Sequence, residues 1–252
     1  FPGTPNELKA VDSLDLEITN GDFLTVIGSN GAGKTTFLNL IAGTMLPTRG
    51  EIFLDDQEVT QVPEYDRAEL VGRVFQEPGR GTASGMTVAQ NLALALNKER
   101  KSLGIGVTRK RREFFKDELN KLGLGLETRL DEKVIHLSGG QRQALAVLMA
   151  TLTMPRILLL DEHTASLDPK NATKILEVTR KLVTEKELTT IMVTHDMSQA
   201  IDLGNRLVML HRGSFICDVN NQKKESLTVD KLVKLFSEKD ISDDELLLTA
   251  RQ

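Results

Sequence analysis

Gly28-Ser29-Asn30-Gly31-Ala32-Gly33-Lys34-Thr35-Thr36 decides how this 252-residue chain is read. The stretch fits a phosphate-cradling pattern: a glycine, four residues, a second glycine, a lysine and a hydroxyl residue. Glycines let the backbone wrap an anion with its N–H groups turned inward. The Lys34 ammonium adds a point charge for β- and γ-phosphates, and Thr35 offers a hydroxyl to a magnesium ion. A helix that starts here directs its positive end into the same pocket. The flanks agree, because residues 23–27 read as a buried strand and residues 37–41 as the apolar face of a helix ending at Gly43. Strand, loop, helix is the order in which such a loop takes a nucleoside triphosphate.

Composition narrows the remaining choices. The chain is long enough for one large domain, or a domain with a lobe, around a sizeable core. Acidic residues slightly outnumber basic ones, giving a net charge of −4, and there is one Tyr and no Trp to stack on bases. That balance argues against a nucleic-acid partner. Cys217 is the single cysteine, which excludes an intramolecular disulfide framework and fits a strand residue in a reducing compartment. Uncharged runs such as 35–48 and 143–155 are too short and too polar to span a bilayer, so the chain reads as soluble.

Along the chain, strict alternation at 14–18 predicts a half-buried strand before the strand that enters the loop. Short strands follow at 50–54 and 71–75, the second ending at Gln76. From 77 to 137 the character changes: apolar spacing predicts helices at 86–97 and 113–122, with Thr87 and Thr108 near their starts. Between them lies a basic linker, 98–112, containing Arg109-Lys110-Arg111-Arg112. This run is either a solvated surface or a contact for anionic lipid headgroups or a membrane partner. Ser138 is a good N-cap for a helix to about Thr153. Residues 157–160 form a continuous apolar run, as expected of a strand buried on both faces of a parallel sheet. Asp168-Pro169 starts a helix over 170–184, and 189–193 is a further buried strand leading to His195. Strands at 206–210 and 214–219 flank a turn at 211–213, and an amphipathic helix at 229–236 precedes an acidic tail.

Two further stretches carry chemistry. The apolar run ends in Asp161-Glu162; an acid at the C-terminal end of such a strand holds Mg²⁺ together with the loop's hydroxyl residue, and Glu162, one residue on, can orient or deprotonate a water. Leu137-Ser138-Gly139-Gly140-Gln141 places a hydroxyl and two glycine amides at a second helix N-terminus, a second anion site. One chain thus holds two phosphate-binding helix starts and one complete set of nucleotide motifs.

On these three stretches, and over nearly its whole length, the sequence resembles the ATP-binding cassette family. The resemblance implies that Gly28 to Thr36 is the Walker A loop, that residues 157–162 are the Walker B strand, and that residues 137–141 are the signature motif. It also implies a fold class: α/β, a phosphate-loop NTPase core with a mostly parallel sheet, an N-terminal antiparallel β-subdomain and an inserted α-helical subdomain. Residues 1–76 and 154–219 would form the core of this single domain, 77–153 the helical insert and 220–252 a helical tail. By the same resemblance Gln76 is the Q-loop residue reaching Mg²⁺ and water, Asp168 the D-loop acid, His195 the switch histidine at the γ-phosphate, and Phe1 the aromatic that stacks on adenine.

The implied cofactors are ATP and Mg²⁺. The implied partners are a second copy, closing head to tail so that Ser138, Gly139, Gly140 and Gln141 cover ATP held by the other, together with separate transmembrane permease subunits and an extracytoplasmic solute-binding protein. The protein would then sit at the cytoplasmic face of the cell membrane, as the ATPase of an importer. Residues 3–7 and 161–165 resemble a branch linked to amino-acid uptake, aromatic amino acids included; an exporter subunit and a soluble ATPase that moves no solute are the alternatives. One position departs from the family: His163 stands where proline is common after the Walker B glutamate. It is either a local variation or a second titratable group beside the catalytic water. His136, His211 and Cys217 lack metal-ligand spacing.

Overall fold

A computed structural model describes residues 9–96 and 107–238. In chain order its elements are β1 (Phe23–Gly28), α1 (Lys34–Ala42), β2 (Phe53–Leu54), β3 (Gln57–Glu58), α2 (Glu64–Arg67) and β4 (Val71–Val74). Next come α3 (Val88–Leu96), α4 (Arg109–Asn120), α5 (Gly139–Thr151), β5 (Ile157–Asp161) and α6 (Pro169–Glu185). The last are β6 (Thr190–Val193), α7 (Met197–Asp202), β7 (Arg206–His211), β8 (Ser214–Asn220), α8 (Asn221–Lys224) and α9 (Val229–Glu238). They group into two compact units, one built from residues up to Glu64 and from Thr189 onward, the other from Tyr65 to Leu188.

In the first unit, β1 runs parallel between β6 and β7, with Val26 opposite both Val193 and Val208, and β8 adds antiparallel to β7. Every residue of β1 is buried, as a central parallel strand with covered faces requires. One apolar cluster joins Ile27, Leu207 and Met209 of these strands to Met197 and Ala200 of α7 and to Leu232 and Phe236 of α9. The amphipathic helix expected at 229–236 is therefore part of this core. The β2–β3 pair is antiparallel, with Phe53 opposite Glu58.

Residues 14–18 form no strand. The alternation that predicted one is present as alternating exposure, Leu14, Leu16 and Ile18 being half-buried and Asp15 and Glu17 exposed. Period-two burial records which side faces the protein, and a strand needs a backbone ladder as well. Here the contacts are isolated: Asp12 N–H donates to the Gly213 carbonyl at 2.8 Å and Arg206 Nη1 donates to the Glu17 carbonyl at 2.5 Å.

In the second unit, β4 and β5 pair in parallel from Val71 opposite Ile157 to Val74 opposite Leu160. Helix α5 lies close on β4: a Cβ built at Gly72 would stand 2.6 Å from the Ala150 carbonyl oxygen. Helix α6 buries Ile175, Val178, Thr179, Leu182 and Val183 along one stripe, the i, i+3, i+4 spacing of an amphipathic helix. Helix α4 begins at Arg109 rather than near 113, because the Thr108 hydroxyl accepts the Arg111 N–H at 3.3 Å and caps it. Arg109 to Arg112 are thus the first helical turn and not a linker; residues 97–106 lie outside the described residues. Among the described residues no helix is long and apolar enough to cross a membrane.

Candidate functional site

The phosphate loop leaves the C-terminal end of β1 and turns into α1, and the chain meets tight steric limits at both glycine ends. A Cβ on Gly28 would lie 2.3 Å from the Leu210 carbonyl oxygen, and one on Gly33 2.3 Å from that of Ala10. Gly31 has open space around it, but its φ of +77° is left-handed, a conformation that a side chain disfavours. Lys34 is 7% exposed. Its ammonium donates to the carbonyls of Gly28 at 2.6 Å and Ser29 at 3.0 Å, so the loop is folded around the charge that the sequence assigns to phosphate.

The start of α1 differs from those of four other helices. Its N-cap is Gly33, with no side-chain hydrogen bond to the first turn. In contrast α4, α5, α6 and α7 are capped by Thr108, Ser138, Asp168 and Asp196. The first amides of a helix lack intrahelical partners. Here the N-cap residue supplies no side-chain oxygen to them, and a helix start of this kind suits an outside anion. Thr35 is exposed in that first turn. In the same unit His195, half-buried, follows β6, whose end is held to β1 by a 3.1 Å bond from Thr194 N–H to the Val26 carbonyl. The loop and His195 therefore leave the same end of adjacent parallel strands, where α/β sheets place ligands.

The second unit carries the acidic motifs. Asp161 closes β5, and Glu162 has a φ of +45°, a left-handed backbone that is uncommon outside glycine and found at functional sites. Arg73 of β4 lies opposite Leu159. Residues two apart on a strand share a face, so the Arg73 guanidinium reaches diagonally to Asp161, with Nη2 3.3 Å from Oδ2. The same guanidinium stands 4.7 Å from the centroid of the Phe75 ring, and Arg80 lies 5.0 Å from it. Phe75 directly precedes Gln76, and the backbone here is tied twice: Gln143 Nε2 donates to the Phe75 carbonyl at 3.3 Å and Ser166 Oγ to the Gln76 carbonyl at 3.2 Å.

Ser138 and Gln141 form a reciprocal capping box at the start of α5, each side chain accepting the other's N–H, at 3.2 and 3.1 Å. Gly139 and Gly140 are the first two residues of that helix. A Cβ on Gly140 would stand 3.2 Å from Asn171 Oδ1. Asn171 in turn gives its backbone N–H and its side-chain amide to Asp168, at 3.1 and 2.6 Å. These bonds hold the Asp168 carboxyl below the usual carboxylate range and make it the N-cap of α6.

His163 points inward. It is 1% exposed, its Nε2 lies 3.1 Å from the Thr179 hydroxyl of α6, and burial pushes its pKa from 6.5 down to about 4. It is a neutral interior residue; the reading as a titrating group beside a catalytic water does not hold. His211 is also lowered, by burial and then by the Arg212 charge, and Cys217 is raised, by burial and then by Asp218. Phe1 lies outside the described residues.

The donor set fits Mg²⁺, a hard ion that takes oxygen ligands and is commonly held by one or two carboxylates plus substrate phosphates. Taken unit by unit, the groups present are of that kind: in the second, Asp161 has a carboxylate at the end of β5, and in the first, Thr35 has an exposed hydroxyl in the first turn of α1. Sequence reading missed Arg73, Gln143 and Ser166. Arg73 had a visible signal, one charge inside the otherwise uncharged run Val71-Gly72-Arg73-Val74-Phe75.

The chain matches the family model described as ABC transporter over residues 11–165. It is 44% identical over 234 residues to the tyrosine transport ATP-binding protein of Clostridioides difficile, covering 93% of this chain and 92% of that one. It is 35% identical over 220 residues to an energy-coupling factor transporter ATP-binding protein of Clostridium tetani, covering 85% and 73% of the two. A solved dimeric ATP-binding cassette in a post-hydrolysis state, bound to ADP and phosphate, superposes with a TM-score of 0.73 at 29% identity, over 88% of this chain and 94% of that one. The fold is that of these cassettes, with a mostly parallel sheet, an N-terminal antiparallel part and an inserted helical part. The chain belongs to the ABC transporter family, as an ATP-binding and hydrolysing domain that drives a transport system.

Proposed function

We propose that this protein is the ATPase subunit of an importer for amino acids, tyrosine-like ones foremost, working at the cytoplasmic face of the membrane on separate permease subunits. The observation that carries this reading is the 44% identity, over nearly the full length of both chains, to a protein named for tyrosine transport. Lys34 and the amides at the start of α1 hold the β- and γ-phosphates, and Phe1 stacks on adenine. Thr35, Asp161 and Gln76 are the groups that would hold Mg²⁺, which when bound neutralises phosphate charge as the γ-phosphoryl leaves. Glu162 orients the attacking water and takes its proton, and His195 contacts the γ-phosphate.

Ser138, Gly139, Gly140 and Gln141 of a second copy cover the same ATP, with Asp168 beside the join. Closure of two copies is then coupled to ATP binding, and hydrolysis releases them. The helical insert, 77–153, and the Gln76 segment pass that motion to the permeases, while a solute-binding protein delivers substrate outside. Support for the two-copy arrangement comes from the dimeric, ADP- and phosphate-bound cassette that this chain resembles.

Membranes of the native host, solubilised with the tagged chain, test this directly. A hydrophobic permease should co-purify, and reconstituted vesicles with the ATPase and ATP enclosed, and the solute-binding protein outside, should accumulate labelled tyrosine and lose this uptake with Lys34→Ala. Efflux of solute would assign an exporter, and a chain recovered without any membrane subunit would assign a soluble ATPase.

A further inference from the structure

We propose that Arg73 is a positioning residue that stands in for the divalent cation at Asp161 and keeps this carboxylate from taking a metal before nucleotide arrives. The inference rests on Asp161 being the metal-holding acid proposed above. The two side chains are 12% and 14% exposed with 3.3 Å between Nη2 and Oδ2. A pair this shielded is screened far less than a surface ion pair, and a carboxylate left there without a counter-charge is costly. A metal reaching Asp161 must compete with a guanidinium already on one of its oxygens.

The arrangement is built into the sheet. Arg73 sits opposite Leu159, so its side chain shares a face with Asp161 in any folded state that keeps the β4–β5 register. The guanidinium also lies over the Phe75 ring, 4.7 Å from its centroid, and Phe75 directly precedes Gln76. Displacing Arg73 from Asp161 therefore changes a contact at the base of the Gln76 segment. Metal arrival, with the phosphates that bring it, is felt there through a single side chain.

The test uses Mn²⁺ as the probe, titrated into the purified full chain without nucleotide and followed by electron paramagnetic resonance. Arg73→Met should bind Mn²⁺ about tenfold more tightly than the wild type, since a competing cation is gone, and Arg73→Lys, which restores a charge, should bind as weakly as the wild type. Circular dichroism melts of all variants establish that they are folded. Equal Mn²⁺ affinity in the wild type and Arg73→Met, or tighter binding in Arg73→Lys as well, overturns the inference. Adding Asp161→Asn to Arg73→Met should abolish the gained binding. Gained binding that survives Asp161→Asn overturns the assignment of Asp161 itself, which separates the failure of that reading from failure of the Arg73 inference.

Discussion

The Lys34 ammonium is bonded to the Gly28 carbonyl at 2.6 Å, closing the phosphate loop on itself across six residues. The lysine satisfies loop carbonyls in the protein alone, and on the proposed function it is also the charge offered to the triphosphate. Lys34→Ala should lose both. Removing a charged donor to two carbonyls costs about 1–3 kcal/mol of stability, and binding of a fluorescent ATP analogue should vanish. A melt and a fluorescence titration on the same sample read the two effects separately.

The loop glycines separate crowding from conformation. Gly28→Ala drives a methyl group into the Leu210 carbonyl oxygen, 2.3 Å away on the paired strand β7, and should cost more than about 3 kcal/mol, as strain at a packed backbone does. Gly31→Ala meets no atom and pays for its φ of +77° alone, about 1–2 kcal/mol. Urea denaturation should rank the two in that order.

His163 gives stability a dependence on acid. The ring stays neutral in the folded protein down to about pH 4, whereas in the unfolded chain it takes a proton near 6.5. Between those values the unfolded state binds more protons, so stability falls as pH drops through that window, by roughly 3 kcal/mol at its lower end. His163→Gln keeps a partner for Thr179 and does not titrate; its denaturation midpoint should show a smaller loss from pH 7 to pH 4.5 than the wild type.

Ser138 caps α5 through Gln141, so Ser138→Ala should cost about 1 kcal/mol. On the two-copy reading the same change leaves nucleotide binding to one copy near the wild-type level and weakens ATP-driven pairing. Calorimetry with ATP and sedimentation of the same protein distinguish these effects.

What the sequence made legible was local. Strand, loop and helix around Gly28 to Thr36, the apolar strand ending in Asp161, and Ser138 with Gly139 and Gly140 at a helix start are patterns within a few residues, and each stands where it was read. The misreadings lie where pairing across the chain decides. Residues 14–18 alternate correctly but have no ladder; the Arg109 run is a local exception, a first helical turn capped by the Thr108 hydroxyl. The direction in which His163 points depends on α6 packing against it. Arg73 and Asp161 are 88 residues apart and meet through strand register, which no local pattern encodes.

The sharing of one ATP between two copies is tested most directly by the mass of Glu162→Gln in solution. This variant should bind ATP and hydrolyse it very slowly, so the closed pair persists. Light scattering on a sizing column should give about twice the 27.9 kDa of the chain with ATP and Mg²⁺, and the single mass without nucleotide. A single mass at saturating ATP, in a variant shown to hold the nucleotide, would contradict it.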